Sequence, residues 1–418
     1  MENKDIKTYV ENICCNAQSV CHEIGLADSD KKKELLHIIA NEIRADIGDI
    51  CASNERDIAN AEANGMRKSM IDRLLLTPER VEEIARSVED VAKLCDPCAR
   101  EEIIKRPNGL IIHKKAVPLG VVGMIYEARP NVTVDAAVLS FASGNACVLR
   151  GGKEAIETNR ALVFTIKNAL SKCGFSKEIC GFIDSTSREA TNALFEMDKY
   201  VDVIIPRGSA SLINAVKSSS KIPCIETGAG NCHLFINYDA DMDMALKIAV
   251  NAKLSRPSVC NAVETILCHR DIADRFIPAL AKETEGRLEI RCDERARAFL
   301  PDSAEATEED FYTEYDDTIV ALGVVNSVEE AVDFINAHST KHSEAIVTQN
   351  ETDAEYFRRR INSACVYVNA STRFTDGGQF GFGAEIGIST QKLHVRGPMG
   401  LEALTTVKYV IDGDGQIR

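Results

Sequence analysis

The stretch Gly120-Val121-Val122-Gly123-Met124-Ile125-Tyr126, leading into Glu127-Ala128-Arg129-Pro130-Asn131, decides the fold. Its first seven residues carry no charge, the mark of a strand buried on both faces, and the polar turn with Pro130 ends it. Outward from there the texture alternates. Val132 to Ser143 reads as a helix, Ala146-Cys147-Val148-Leu149-Arg150 as a strand, and Thr158 to Cys173 as a helix. Val201-Asp202-Val203-Ile204-Ile205 is a strand, Ser209 to Ser218 a helix, and Ile222-Pro223-Cys224-Ile225-Glu226 a strand. Short apolar strands separated by helices predict a parallel sheet covered on both faces. The pattern restarts with strand Leu234-Phe235-Ile236, helix Met242 to Lys253, strand Ala262 to Cys268 and a helix over 271–285. Further strands are expected at Ile319 to Val325, Glu344 to Thr348 and Cys365 to Asn369. The chain is therefore α/β, with two Rossmann-like parallel-sheet domains.

The first hundred residues read as helices. Leu36, Ile39, Ile43, Ile47 and Ile50 make one apolar face, and Thr77-Pro78-Glu79 starts a helix with a capping hydroxyl and Pro at its first position. Leu110 to Val117 reads as a strand of a protruding ribbon, and Thr405 to Ile411 as a strand that pairs outside its own domain. The acidic stretch Pro301 to Asp310 is expected as a surface excursion near a boundary. These readings divide the chain into a cofactor-binding domain (1–104 and 119–228), a catalytic domain (229–398) and oligomerisation strands (105–118 and 399–418).

Composition excludes several function classes. Net charge is −15, from 49 basic and 64 acidic residues, which disfavours a nucleic-acid surface because phosphate binding needs a positive field. There is no Trp and aromatics are 6%, too few for base stacking to be a theme. A local basic pocket for a small anion stays compatible with that balance. No apolar leader and no run long enough to span a membrane is present. Fifteen cysteines without framework spacing read as reduced thiols in the cytoplasm. Cys95-Asp96-Pro97-Cys98 has no second pair or nearby His to complete a zinc site, so no metal is expected.

Cys260 stands apart from the other thiols. It closes Ser255-Arg256-Pro257-Ser258-Val259-Cys260, between a helix and a strand, and lies 34 residues after Glu226 in Glu226-Thr227-Gly228-Ala229-Gly230-Asn231. A thiolate is a strong nucleophile toward acyl carbons, and a placed carboxylate manages its proton. Just past the strand that ends at Tyr126, Arg129 is placed to hold an anionic group and Asn131 to donate its amide to an oxyanion. The ordinary Gly-x-Gly-x-x-Gly fingerprint is missing. Arg150-Gly151-Gly152-Lys153 and Pro206-Arg207-Gly208-Ser209 replace it, each after a strand. The first offers cations to a nucleotide phosphate; the second opens a helix whose N-terminus suits a pyrophosphate. Gly377 to Gly387 is dense in glycine and reads as a lid or a hinge.

These pieces, in this order, resemble the aldehyde dehydrogenase superfamily over nearly the whole chain. Glu226-Thr227-Gly228-Ala229-Gly230 resembles its Glu-Leu-Gly-Gly turn, Cys260 falls where its nucleophile should, and Gly381 to Gly387 resembles its C-terminal Gly-rich segment. Within the superfamily the fit is closest to the gamma-glutamyl phosphate reductase family, through Tyr126 to Thr133, Ile205 to Ser209, Ala337 to Glu344, Asn369 to Phe374 and Val395 to Leu401. The superfamily's Pro-Trp-Asn is replaced by Glu127-Ala128-Arg129-Pro130-Asn131, and its usual Lys after the next strand is Arg150.

The resemblance implies an aldehyde-dehydrogenase-like fold with a small oligomerisation ribbon. It implies NADPH-dependent reduction of L-glutamyl 5-phosphate to L-glutamate 5-semialdehyde, the second step of proline biosynthesis, through a thioester on Cys260. Arg129, Arg207 and Arg373 are then expected to meet the substrate's anionic groups, and Asn369 and Asp376 its ammonium. Glu314 is carried over as the acidic ribose contact beside Arg150, Gly151, Gly152, Lys153, Gly208 and Ser209. A homodimer or higher homo-oligomer and contact with glutamate 5-kinase, which makes the labile acyl phosphate, are expected by the same analogy. The rival readings are a hydrolytic or CoA-acylating aldehyde dehydrogenase, a non-catalytic relative that only binds nucleotide, and a thiol-based redox sensor.

Overall fold

The computed structural model describes residues 3–418. The chain divides into two compact units: residues 1–227, 381–387 and 399–418, and residues 228–380 and 388–398.

In the first unit, helices pack before any strand appears. Helix Pro78–Ala92 starts as its sequence dictates: the Thr77 side chain accepts the Arg80 N–H, and Val81, Ile84, Ala85, Val88 and Val91 are buried. Strands β1 (Glu101–Lys105) and β2 (Ile111–Pro118) form an antiparallel hairpin. Then come β3 (Val121–Tyr126), β4 (Ala146–Arg150), β5 (Cys180–Phe182) and β6 (Val203–Arg207), a parallel sheet in the order β5-β4-β3-β6. Every residue of β3 is buried, as its unbroken apolar run requires of a central strand. Helix Asn131–Ala142 follows β3 and is apolar all round because it too is covered.

The expected strand over Ile222 to Glu226 does not form. Only a single bridge survives, with Ile204 donating to the Pro223 carbonyl at 2.9 Å and Ile225 donating back to Ile204 at 3.0 Å. Pro223 has no N–H to give, so the ladder cannot extend.

The second unit holds β7 (Cys232–Ile236), β8 (Val263–His269), β9 (Glu289–Cys292), β10 (Ala304–Glu305), β11 (Ile319–Val325), β12 (Ser343–Val347) and β13 (Cys365–Val368). They form one parallel sheet in the order β10-β9-β11-β8-β7-β12-β13. The core has two sides. Helices Met242–Leu254 and Ala273–Glu283 cover one face through Ile248, Phe276 and Leu280; Val332, Ile335 and Phe357 cover the other. The acidic stretch before Asp310 lies inside this unit, where it supplies edge strand β10 and buries Asp310 against Arg291. Strands β14 (Ile388–Ser389) and β15 (Gly397–Pro398) pair with each other, and β16 (Thr405–Asp412) returns to the first unit, antiparallel to β2 along its whole length. Among the described residues, no helix is long and apolar enough to cross a membrane.

Candidate active site

Cys260 lies in the loop between helix Met242–Leu254 and β8, at the N-terminal edge of the second unit's sheet. It is partly exposed, whereas Cys147, Cys180, Cys232, Cys268 and Cys292 are buried. Two neighbours hold its main chain. The Cys232 thiol donates to the Cys260 carbonyl at 3.2 Å. Gly230 packs so closely that a Cβ there would lie 1.6 Å from the same oxygen. The Gly230 N–H in turn donates to Glu314 Oε1 at 2.9 Å. Burial raises the Glu314 carboxyl above its ordinary pKa, with the Gly230 N–H pulling the other way.

The next residue braces this turn from behind. Asn231 donates its backbone N–H to Thr340 Oγ1 at 3.0 Å, and its side-chain amide donates to the carbonyls of Phe311 and His338 at 2.7 and 3.0 Å. Thr340 belongs to the stretch Ala337 to Glu344. At the end of that stretch fully buried Glu344 accepts from the His233 N–H at 2.7 Å and from Ser339 and Ser363. Its role here is architectural: it locks β12 to β7 and holds the glycine turn in place. His342 is packed against the Cys232 sulfur at 3.7 Å.

On its other side the loop is tied to the segment after β13. Asn261 donates to the Thr375 carbonyl at 2.9 Å, Thr372 donates to the Asn261 carbonyl at 2.7 Å, and Arg373 bonds Asn261 Oδ1 and, at 3.1 Å, Ser255 Oγ. Burial lowers the Arg373 pKa and neighbouring Arg256 lowers it further; Cys260 and Asp376 oppose them. Two guanidinium groups therefore share the surroundings of the thiol, a field suited to an anionic substrate. Arg373 lies against the Cys260 loop through Ser255 and Asn261. Asp376 closes a turn of its own: its Oδ1 accepts the N–H groups of Gly378 and Gln379 at 2.9 and 3.1 Å.

Asn369 is placed elsewhere. It follows β13 with φ of 56°, and its amide bonds both the N–H and the C=O of Thr348, just past β12, at 3.0 and 2.9 Å. That is the C-terminal edge of the sheet, the length of β12 (about 16 Å at a strand's usual rise) from the edge where Cys260 lies. The geometry does not bring Asn369 to the thiol, because both ends of its side chain close a turn.

The first unit gathers its candidates at the C-terminal edge of the four-stranded sheet, the usual ligand edge of a parallel sheet. A cleft of about 550 Å³ opens there, lined by Glu127, Arg150, Lys153, Arg188, Phe195 and Leu212 among others. Gly151 is required by close approach, since a Cβ would lie 2.1 Å from the fully buried Asn159 amide, while at Gly152 a Cβ would meet the end of the Glu154 side chain. Arg150 reaches the Thr186 and Ser187 carbonyls at 3.4 Å each, while its buried Nε has no hydrogen-bond partner. Burial lowers its pKa, with Glu154 and Glu127 opposing. A buried guanidinium N–H without a partner, beside Lys153 and Arg188, fits a phosphate-bearing nucleotide. Arg188, which the sequence reading did not single out, also lines this cleft, at the start of the helix that Ser187 caps by accepting the Ala190 N–H.

The helix that follows β6 differs from its expected use. Its first N–H, at Ser209, is already taken by Glu127 Oε2 at 2.7 Å, and Gly208 leaves room only for that carboxylate. An anion does sit at this helix start, as the dipole favours, but it is the protein's own. A pyrophosphate at Gly208 and Ser209 would have to displace Glu127. Arg207 ends β6 within electrostatic reach of Asp135, whose carboxyl burial pushes up to about 6. Asn131 donates one amide N–H to that carboxylate at 3.0 Å. Arg129 lies in the preceding turn, where its carbonyl receives the Val132 N–H at 3.0 Å. Glu226 is half-buried and paired with Lys217 at 3.1 Å, and next to it the buried Thr227 hydroxyl donates to the Pro206 carbonyl.

Comparison with known proteins agrees with this architecture. Residues 6–294 match the aldehyde dehydrogenase family. The chain is 50% identical to the gamma-glutamyl phosphate reductase of Petrotoga mobilis over 415 residues, 99% of this chain and 100% of that one. It superposes on the crystal structure of gamma-glutamyl phosphate reductase from Thermotoga maritima with a TM-score of 0.94, at 40% identity and 99% coverage of both chains. An acetylating aldehyde dehydrogenase from Geobacillus thermoglucosidasius, at 18% identity and TM-score 0.74, shares the fold. The chain belongs to the aldehyde dehydrogenase family, among the gamma-glutamyl phosphate reductases.

Proposed function

We propose that this chain reduces L-glutamyl 5-phosphate to L-glutamate 5-semialdehyde with release of phosphate, the second step of proline biosynthesis. The observation that carries the mechanism is the Cys260 loop: a partly exposed thiol whose carbonyl is held by Gly230 and Cys232 and whose neighbour Asn261 is tied to Thr372 and Thr375, with Arg373 and Arg256 nearby.

The Cys260 thiolate attacks the γ-carbonyl carbon. A carbon–sulfur bond forms, the carbon–oxygen bond to phosphate breaks, and phosphate leaves with the electron pair, so a thioester remains on Cys260. The oxyanion of this step falls to the Cys260 N–H and to the remaining N–H of Asn131. Phosphate is a good leaving group, so this half needs little acid catalysis. Collapse of the reduced adduct frees the aldehyde and restores the thiolate. Glu226 is the carboxylate proposed for proton handling. Arg129, Arg207 and Arg373 are the proposed cations for the substrate's carboxylate and phosphate, with Asp376 for its ammonium once its turn opens.

NADPH, when bound, supplies the hydride. Its adenosine end is assigned to the cleft of the first unit, with Arg150, Lys153 and Arg188 on the 2′-phosphate and Gly151 and Gly152 giving close main-chain approach. Cytoplasmic location, assembly into homo-oligomers through β1, β2 and β16, and contact with the kinase that makes the acyl phosphate belong to the same reading.

The test is acceptor dependence. Run backward with glutamate semialdehyde and NADP, the purified protein should reduce NADP only when inorganic phosphate is present, and Cys260→Ala should abolish this while NADPH still binds. Phosphate-independent turnover would make the enzyme hydrolytic, and retention of a tenth of the activity by Cys260→Ala would defeat the covalent scheme.

A further inference from the structure

Two charges are sealed beneath the Cys260 loop. Lys253, in the last turn of helix Met242–Leu254, meets Glu264, the second residue of β8, at 2.5 Å, and neither side chain is exposed to solvent at all. Glu264 Oε1 has no hydrogen-bond partner. Burying two charges is expensive, and an apolar pair of similar size would hold a helix to a strand at least as well. Stability alone therefore gives no account of them. Their place in the chain does. Lys253 and Glu264 flank the loop that carries Cys260, so the bond between them closes that loop at its base.

A second connection joins this base to the top of the loop. The Tyr315 ring lies 5.8 Å from Lys253 Nζ, and the ring is held by Arg291, 5.3 Å away, and by a 2.7 Å hydrogen bond from its hydroxyl to Asp310. The residue before it, Glu314, takes the N–H of Gly230, the glycine that presses on the Cys260 carbonyl. One dipeptide thus touches both the floor and the roof of the nucleophile's loop.

We infer that the buried Lys253–Glu264 pair is a positioning device for the reaction, fixing both ends of the Cys260 loop, with Glu314-Tyr315 coupling that base to the glycine turn above the nucleophile. A directional, charge-assisted hydrogen bond sets a loop's register where apolar contact lets it slide, and about 1 Å of misplacement costs on the order of 100-fold in rate. The two acids are electrostatically coupled: burial raises the Glu264 carboxyl, Lys253 opposes the rise and holds the carboxylate, and Glu314 adds to the rise.

The inference rests on Cys260 being the nucleophile, so Cys260→Ala is run beside it; activity surviving there sinks that reading and not merely this one. The variant that decides is the double replacement Lys253→Met with Glu264→Leu in the full chain. It should melt no lower than the wild type, because it removes two buried charges, yet turn over at least 30-fold more slowly with KM for the acyl phosphate within twofold. Glu264→Gln, which keeps a polar partner for Lys253, should recover most of that loss. A purely structural pair predicts the opposite: the double variant, once folded, would keep its kcat within threefold, and that result overturns the proposal. An equal loss in Glu264→Gln and in the double variant would also overturn it, since the hydrogen bond would then not be what matters.

Discussion

Replacing Gly230 by alanine should stop turnover without disturbing cofactor binding. Gly230 has no left-handed backbone to protect, so its requirement for glycine is one of approach. A Cβ would lie 1.6 Å from the Cys260 carbonyl oxygen, 2.3 Å from its carbon and 2.4 Å from its Cα. All three are main-chain atoms and cannot swing aside. Restoring an ordinary carbon–oxygen contact of about 3.3 Å needs a shift of about 1.7 Å, shared between the glycine turn and the nucleophile's loop. A displacement of that size costs on the order of 100-fold or more in rate, about 2.7 kcal/mol of barrier. Overpacking should also lower stability by about 1–3 kcal/mol. The assay is phosphate-dependent NADP reduction at saturating semialdehyde, with NADPH affinity as the control. That affinity should be unchanged, because the residues lining the cofactor cleft all belong to the first unit. Soluble, folded Gly230→Ala with a kcat within fivefold of the wild type would refute the reasoning.

Three further outcomes are expected. Asn369→Ala should lower stability by about 2 kcal/mol, from two lost hydrogen bonds and a strained left-handed residue, and leave KM for the substrate unchanged; a tenfold rise in KM would return Asn369 to the substrate site. Arg188→Ala should weaken NADPH at least tenfold more than NADH in direct binding titrations, and equal weakening would remove it from the 2′-phosphate. Asp135, raised from 3.8 to about 6, binds its proton more tightly folded than unfolded, so its penalty is absent below pH 4 and complete above pH 6. Asp135→Asn should therefore be more stable than the wild type at pH 8, by at most about 3 kcal/mol, with the difference vanishing near pH 4; denaturation midpoints that differ equally at both pH values would contradict this.

Much of the architecture could be read from the chain because strands and helices leave their period in short stretches. Residues 120–131 show why: an unbroken apolar run must be a covered strand, and the turn after it must carry whatever chemistry the edge of the sheet supports. Cys260 was singled out for a related reason, since the turn Glu226 to Asn231 and the loop 255–260 have residue types that packing alone does not ask for. The polar groups whose use was not legible share one cause. Lys253 and Glu264 are charged, and nothing local says that a charged residue will be fully buried; only the return of β8 beneath its own helix pairs them. Glu127 reads as a loop acid until β6 arrives beside β3 and sets it against the Ser209 N–H, 82 residues on. Asn369 looks like a ligand for an ammonium and is instead consumed by Thr348, which neighbours it only because β12 and β13 lie side by side. Local sequence determined most of the segments that became strands and helices. Tertiary structure alone decided which polar groups were spent on one another, because a hydrogen-bond partner is chosen by proximity in space.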